Sequence, residues 1–472
     1  GQARRLLEAF ADHPAASAAL KGALHDRLGR PGVAVPATTA MPTATAPERK
    51  AAASALAPVV PPPPFRPLRV YAFDPLVATR LDTTDINEAV IRVPWEEGLE
   101  PGPVGEYFEV VDVDPPSDSA YAPVDLDHPN ILTRQGLAPT EGNPQFHQQM
   151  VYAVAMKTVE RFEQALGRRA QWAQRLATVD GRFGSRFVRR LRLYPHALRE
   201  PNAYYSPERM ALLFGYFNAT ASEVGDNLPG GLIFTCLSHD IVAHETTHAL
   251  LDGLHPRYKE PSSLDMLAFH EAFADIVALF QHFTLPEALR SEIAKCRGDL
   301  SFADLLGGLA RQFGEGIGSR GALRSFISRR NDETGNWEPI KPSPTDYADA
   351  TEAHDRGAVL VAAVFDAFLQ IYRRRTEDLL RLATQGTGIL PQGRLSHDLV
   401  ERLAQEANEV ASRVLNICIR ALDYCPPVDL TFGEYLRALI TADRDLVPYD
   451  PHAYRIAFIS AFRARGIFPE GV

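Results

Sequence analysis

The chain has 472 residues, 45% of them hydrophobic and 23% charged, with a formal net charge of −10 and a pI near 5.8. That length holds two or three domains with a large core, and the composition is that of an ordinary globular protein. The acidic balance argues against nucleic acid or an anionic membrane as a main partner.

In chain order, residues 2–28 carry Leu6, Leu7, Phe10, Ala18, Leu20, Leu24 and Leu28 at roughly helical spacing. This spacing predicts an amphipathic helix within an accessory segment, 1–29, with an oligomerisation or latency role. Residues 30–66 are rich in Pro and Ala and end in PPPP, which predicts a linker. A β-rich lobe is expected over 67–235. Its strands are LRVYAF (68–73), EYFEVVDV (106–113), RFVRRLRLY (187–194) and MALLFGYF (210–217). Inside it, residues 144–167 predict a long helix, with Phe146, Met150, Val154, Thr158 and Phe162 recurring every four residues. From 236 to 472 the expectation is a helical lobe, with helices at 236–252, 264–283, 301–313, 356–374, 396–422 and 432–443. Residues 328–353 read as a long polar loop, and Asp443, Arg444 and Asp445 as an ion-paired helix end. The fold class expected is therefore α+β, with two lobes.

The four cysteines, Cys236, Cys296, Cys418 and Cys425, make no Cys-x-x-Cys pair and are too few for a disulfide scaffold. No apolar run is long enough to predict a membrane helix. The opening GQARRLLEAFADHPAAS lacks the continuous apolar core of a secretory signal. A cytoplasmic location without a membrane partner is the expectation.

Chemistry concentrates in VAHETTHALLDG, residues 242–253. His244 and His248 lie four apart, so one helix face presents both imidazoles to a single ion. Glu245 stands about 100° round the helix, where a general base belongs. A hydrolytic zinc site needs three protein ligands and an open position. Glu271, in the apolar run FHEAFADIVALF (269–280), is the candidate third ligand. Asp275, one turn on, is placed to orient a ligand histidine. With Glu271 directed inward, His270 should point elsewhere. His147, His255 and His282 fit ordinary core histidines.

These motifs resemble the thermolysin-type zinc metallopeptidases of the gluzincin group. DIVAHETTHALLD (240–252) resembles that family's active-site helix, and HEAFAD (270–275) the segment with its third ligand. NAYYSPERM (202–210) resembles the edge strand that binds substrate backbone, and DATEAH (349–354) the Asp–His pair. The resemblance spans roughly residues 200–370. It implies one catalytic zinc ion, a peptide or protein substrate, and the family's two lobes with the zinc helix between them. It also implies substrate alignment by Asn202 and Ala203, and a tetrahedral intermediate steadied by His354 with Asp349 orienting it. Three departures stand out. The interval from His248 to Glu271 is longer than usual, with Tyr258 the one tyrosine there to stabilise the transition state. The substrate arginine has no direct counterpart, leaving Arg356 or Arg257. The family's acidic calcium ligands are missing, so calcium is not supported.

The function expected is a zinc-dependent endopeptidase with Glu245 as general base. Two alternatives stand beside it. One is an exopeptidase with the same chemistry. The other is a latent, partner-regulated or non-catalytic zinc-stabilised module, with the N-terminal helix and Pro-rich linker as the regulatory surface.

Overall fold

The computed structural model describes residues 61–75, 86–179, 182–219, 230–302, 328–330 and 337–471. The expected helix at 2–28, most of the linker and the expected helix at 301–313 lie largely outside those residues. What is described is a mixed α+β structure, with a sheet region followed by a mainly helical part.

Strand β1 (Phe65–Tyr71) pairs antiparallel with β2 (Glu88–Pro94). Phe65 already belongs to β1, so folded structure starts two residues before the expected boundary at Pro67. The main sheet is built on β3 (Phe108–Val110), β4 (Leu191–Leu198), β5 (Ala203–Ser206), β6 (Ala211–Asn218) and β7 (Leu232–Phe234). Its order is β7-β6-β4-β3, with β5 pairing antiparallel along the first half of β6. β6 and β3 both run parallel to β4. Alternation along 187–194 predicts a strand there, and regular pairing begins at Leu191.

Helix α1 (Pro144–Leu166) follows the sequence closely. The Asn143 side chain accepts from the Gln145 N–H, Pro144 occupies the first turn, and Gly167 closes the helix at φ 68°. Phe146, Met150, Val154, Thr158 and Phe162 are all buried, as their spacing requires.

Helix α2 (His239–Leu254) lies against α1 and against α3 (Leu264–His282), whose Ser263 cap accepts from the Met266 N–H. Thr246 and Thr247 are weak helix formers in a buried helix. Each hydroxyl donates to the carbonyl one turn back, Val242 at 2.6 Å and Ala243 at 2.8 Å, which satisfies it without leaving the helix. Helix α4 (Pro286–Lys295) was not anticipated; it is a single short, polar stretch. Helix α5 (Ala353–Ala383) packs on α3, where Gly357 allows close approach: a Cβ there would sit 3.1 Å from the Ala268 carbonyl oxygen. Helices α6 (His397–Ala421), α7 (Phe432–Leu446) and α8 (Tyr454–Arg463) complete the helical part. Asp443 near the end of α7 takes Arg413 at 2.9 Å and Arg455 at 3.6 Å, the ion-paired end expected.

The polar stretch 328–353 is not simply a loop. Ser328–Arg330 pairs antiparallel with Trp337–Pro339, and Asp346–Asp349 forms one helical turn. Polarity marked it as surface, but these local pairings are too short to leave a periodic signal. The four cysteines are free thiols. Among the described residues no helix is long and apolar enough to cross a membrane.

Candidate metal centre

The residues four apart on α2 and the glutamate on α3 converge. His244 Nε2 lies 3.4 Å from one carboxylate oxygen of Glu271, and His248 Nε2 lies 3.4 Å from the other. The two imidazole rings stand nearly perpendicular, 4.6 Å between centroids. Glu245 joins the same group, its carboxylate within 4.8 Å of both histidine donor atoms. The histidines are buried, whereas the Glu271 side chain is 38% exposed, so the cluster meets solvent on the α3 side.

Each imidazole is oriented from behind. His244 Nδ1 is 2.9 Å from Asp275 Oδ1, the contact the spacing of Glu271 and Asp275 suggests. Burial pulls the His244 imidazole down, but the Asp275 and Glu271 carboxylates outweigh it and push it up to about 10. His248 Nδ1 is met at 2.7 Å by Nδ1 of His270, whose ring stacks on it at 4.7 Å. The expectation that His270 points elsewhere is therefore corrected. Its neighbour Glu271 faces the cluster, yet the α2–α3 interface is tight enough for His270 to reach the far side of His248. Burial, partly offset by Glu271, pushes His270 down to about 4. His270 thus stays neutral near pH 7, and one member of the pair can donate while the other accepts.

Behind Asp275 the polar shell continues. Asp240, in the first turn of α2, pairs with buried His282, whose ring stacks on Phe73. Burial, then the Asp74 and Asp275 carboxylates, push Asp240 well up. His282 is thus a buried, hydrogen-bonded core histidine, as its sequence context suggests.

Glu245 Oε2 accepts the Tyr205 backbone N–H at 3.0 Å, which joins the candidate base to strand β5. The Tyr205 hydroxyl donates to Asp252 at 2.7 Å, and Lys259 pairs with the same carboxylate. Tyr205, Asp252 and Lys259 together pin β5 to the end of α2. Sequence reasoning missed all three, although Tyr205 lies within the NAYYSPERM motif. Asn202 is exposed at the start of β5, its Oδ1 accepting the Ala203 N–H at 2.9 Å. Ala203 is buried and pairs with Phe214. β5 pairs with β6 along one edge, and its other side faces α2.

Other expected residues are placed elsewhere. Tyr258 is corrected: its ring stacks on His255 at 4.3 Å and its hydroxyl donates to the Pro426 carbonyl at 2.7 Å. At 1% exposure it belongs to the packing between the 256–259 turn and the C-terminal part, not to the cluster. Arg356 is likewise committed, donating to the Tyr347 carbonyl at 2.6 Å, lying 4.1 Å over its ring, and pairing with Asp265 at 3.5 Å. Arg257 is exposed and pairs with Glu260. Asp349 and His354 are both exposed, with no hydrogen bond between them among the described residues. His354 sits one turn before Gly357, where α5 rests on Ala268 and Ala272 of α3.

No family model matches the chain, and no curated protein matches it.

Proposed function

We propose that the chain is a zinc-dependent endopeptidase, with His244, His248 and Glu271 as the metal ligands and Glu245 as general base. One observation carries the reading: two imidazole Nε2 atoms, each 3.4 Å from a different oxygen of Glu271, have their Nδ1 atoms held by Asp275 and His270. Two nitrogens and a carboxylate suit zinc, and the contacts behind them fix which nitrogen faces the ion. Bound there, zinc supplies a Lewis acid that lowers the pKa of a coordinated water.

The chain's own residues do the rest. The Glu245 carboxylate takes a proton from the attacking water and returns it to the leaving amine, a service worth about 10²–10⁴-fold. Its bond to the Tyr205 N–H holds it in register with β5. A substrate in extended form is aligned as an added strand by Asn202 and Ala203 at the start of β5. Of the oxyanion donors expected from the sequence, His354 is the one left exposed, since Tyr258 is buried.

A second reading has an observation in its favour. Tyr258 and Arg356 are both tied into packing away from the cluster, as in a latent or non-catalytic zinc-stabilised module. Digestion of casein with and without chelator, followed by zinc add-back, separates the two. Chelator-sensitive, zinc-restored cleavage supports the peptidase; a zinc-loaded chain that leaves casein intact supports the latent module. Cleavage of end-blocked peptides excludes the exopeptidase alternative.

A further inference from the structure

Outside the α2–α3 cluster, a second group of metal-binding side chains lies wholly buried. His147 comes from the first turn of α1, His196 from β4, and Cys236 from the turn Thr235–Leu237 that leads into α2. One ligand atom from each lies within 4.8 Å of the others. His147 is 1% exposed, His196 2% and Cys236 0%.

The hydrogen bonds around the two rings decide what can stand between them. His147 Nε2 is 2.9 Å from the Glu141 carbonyl, which only accepts, so that nitrogen carries a hydrogen. His196 Nδ1 is 2.6 Å from Asp112 Oδ1, while the other Asp112 oxygen accepts from Gln148 at 2.7 Å. With Asp112 as a carboxylate, His196 Nδ1 also carries a hydrogen. Both neutral imidazoles have then used their one N–H on the far side. His147 Nδ1 and His196 Nε2 face each other at 2.8 Å with two lone pairs and no hydrogen between them. A cation shared by the two nitrogens relieves that contact. The Cys236 ligand atom lies within 4.8 Å of both rings and gives a metal ion a third donor, which a shared proton does not need. Capture of each distal N–H, by a carbonyl and by a carboxylate, is the usual support of metal-bound histidine.

We propose that His147, His196 and Cys236 bind a second ion, a thiophilic divalent metal of the zinc class, in a structural site. Imidazole and thiolate donors suit that class. The charge also balances: one thiolate and the Asp112 carboxylate match a divalent ion, which is what a buried site needs. The ion cross-links α1, β4 and the turn just ahead of α2, bracing the start of the helix that carries His244 and His248. The site stands independently of the peptidase reading.

The test uses the full chain produced in medium with cobalt in place of zinc, with metal per chain measured beside the optical spectrum. Two cobalt equivalents and a thiolate-to-cobalt charge-transfer band are expected. Cys236→Ser should lose the band and one equivalent, as should His196→Gln. His244→Ala should lose one equivalent and keep the band. Cobalt bound without a thiolate band, no cobalt at all, or a band that survives Cys236→Ser would overturn the second site. The wild-type spectrum and stoichiometry decide the matter even where a variant fails to fold. A single equivalent with the band would keep this site and count against the α2–α3 centre; a single equivalent without it would do the reverse.

Discussion

The two histidine clusters of this protein differ in how the chain assembles them. His244, His248 and Glu271 come from adjacent helices, two of them one turn apart, so their spacing announces them. His147, His196 and Cys236 come from a helix, a strand and a turn, brought together across 49 and 40 positions. Spacing says nothing about them. Exposure differs too: the first cluster reaches solvent at Glu271, and the second is closed. Helix-borne ligands at an opening suit turnover, whereas ligands gathered by the fold in its interior suit bracing.

The largest effect that would sharpen this contrast is His248→Ala, which removes a proposed zinc ligand at the open cluster. Cleavage should vanish and one metal equivalent should be lost, while far-UV circular dichroism stays near that of the wild type. A fold that collapses with it would make the open cluster structural as well. Next come the orienting residues. Asp275→Asn and His270→Ala should each weaken zinc binding at that cluster by roughly 10–100-fold, read by competition with a chelating dye. An unchanged affinity in both would mean that the contacts behind the histidines do not position them.

A smaller effect concerns acid. His239 is buried, and desolvation, only partly offset by Tyr71 and Gln281, pushes it down to about 4. A lowered histidine favours its neutral form in the fold. Its contribution is complete above about pH 6.5 and falls as pH drops towards 4. At pH 5 this costs about 2 kcal/mol, to be measured by urea denaturation of wild type against His239→Gln. Equal pH dependence in the two would contradict it. The smallest effect belongs to Tyr258→Phe. Stability should fall by about 1 kcal/mol with the loss of the hydrogen bond to Pro426, and kcat/KM should stay within about twofold. A large drop in turnover would return Tyr258 to the active site.

Much of this was legible in the sequence. The α1 helix showed its buried stripe, and His244 and His248 of α2 showed their spacing. Asp275 follows Glu271 by one turn, so its contact with His244 could be anticipated. His270 could not, because local geometry turns adjacent residues on a helix apart. It reaches His248 only because α2 and α3 pack closely enough to bring its ring around. Tyr258 and Arg356 were misplaced for a related reason. Each has the right chemistry and lies near the motif, but long-range partners, the Pro426 carbonyl and Asp265, hold them elsewhere. The pinning of β5 by Tyr205, Asp252 and Lys259 is equally a product of packing.

The most direct test of the central claim is Glu245→Ala, with zinc content and casein cleavage measured on the same preparation. Glu245 takes no ligand position in this account, so the variant should hold as much zinc as the wild type and cleave at least about a hundredfold more slowly. Wild-type cleavage by a fully zinc-loaded Glu245→Ala would contradict the assignment of the general base and the peptidase mechanism built on it.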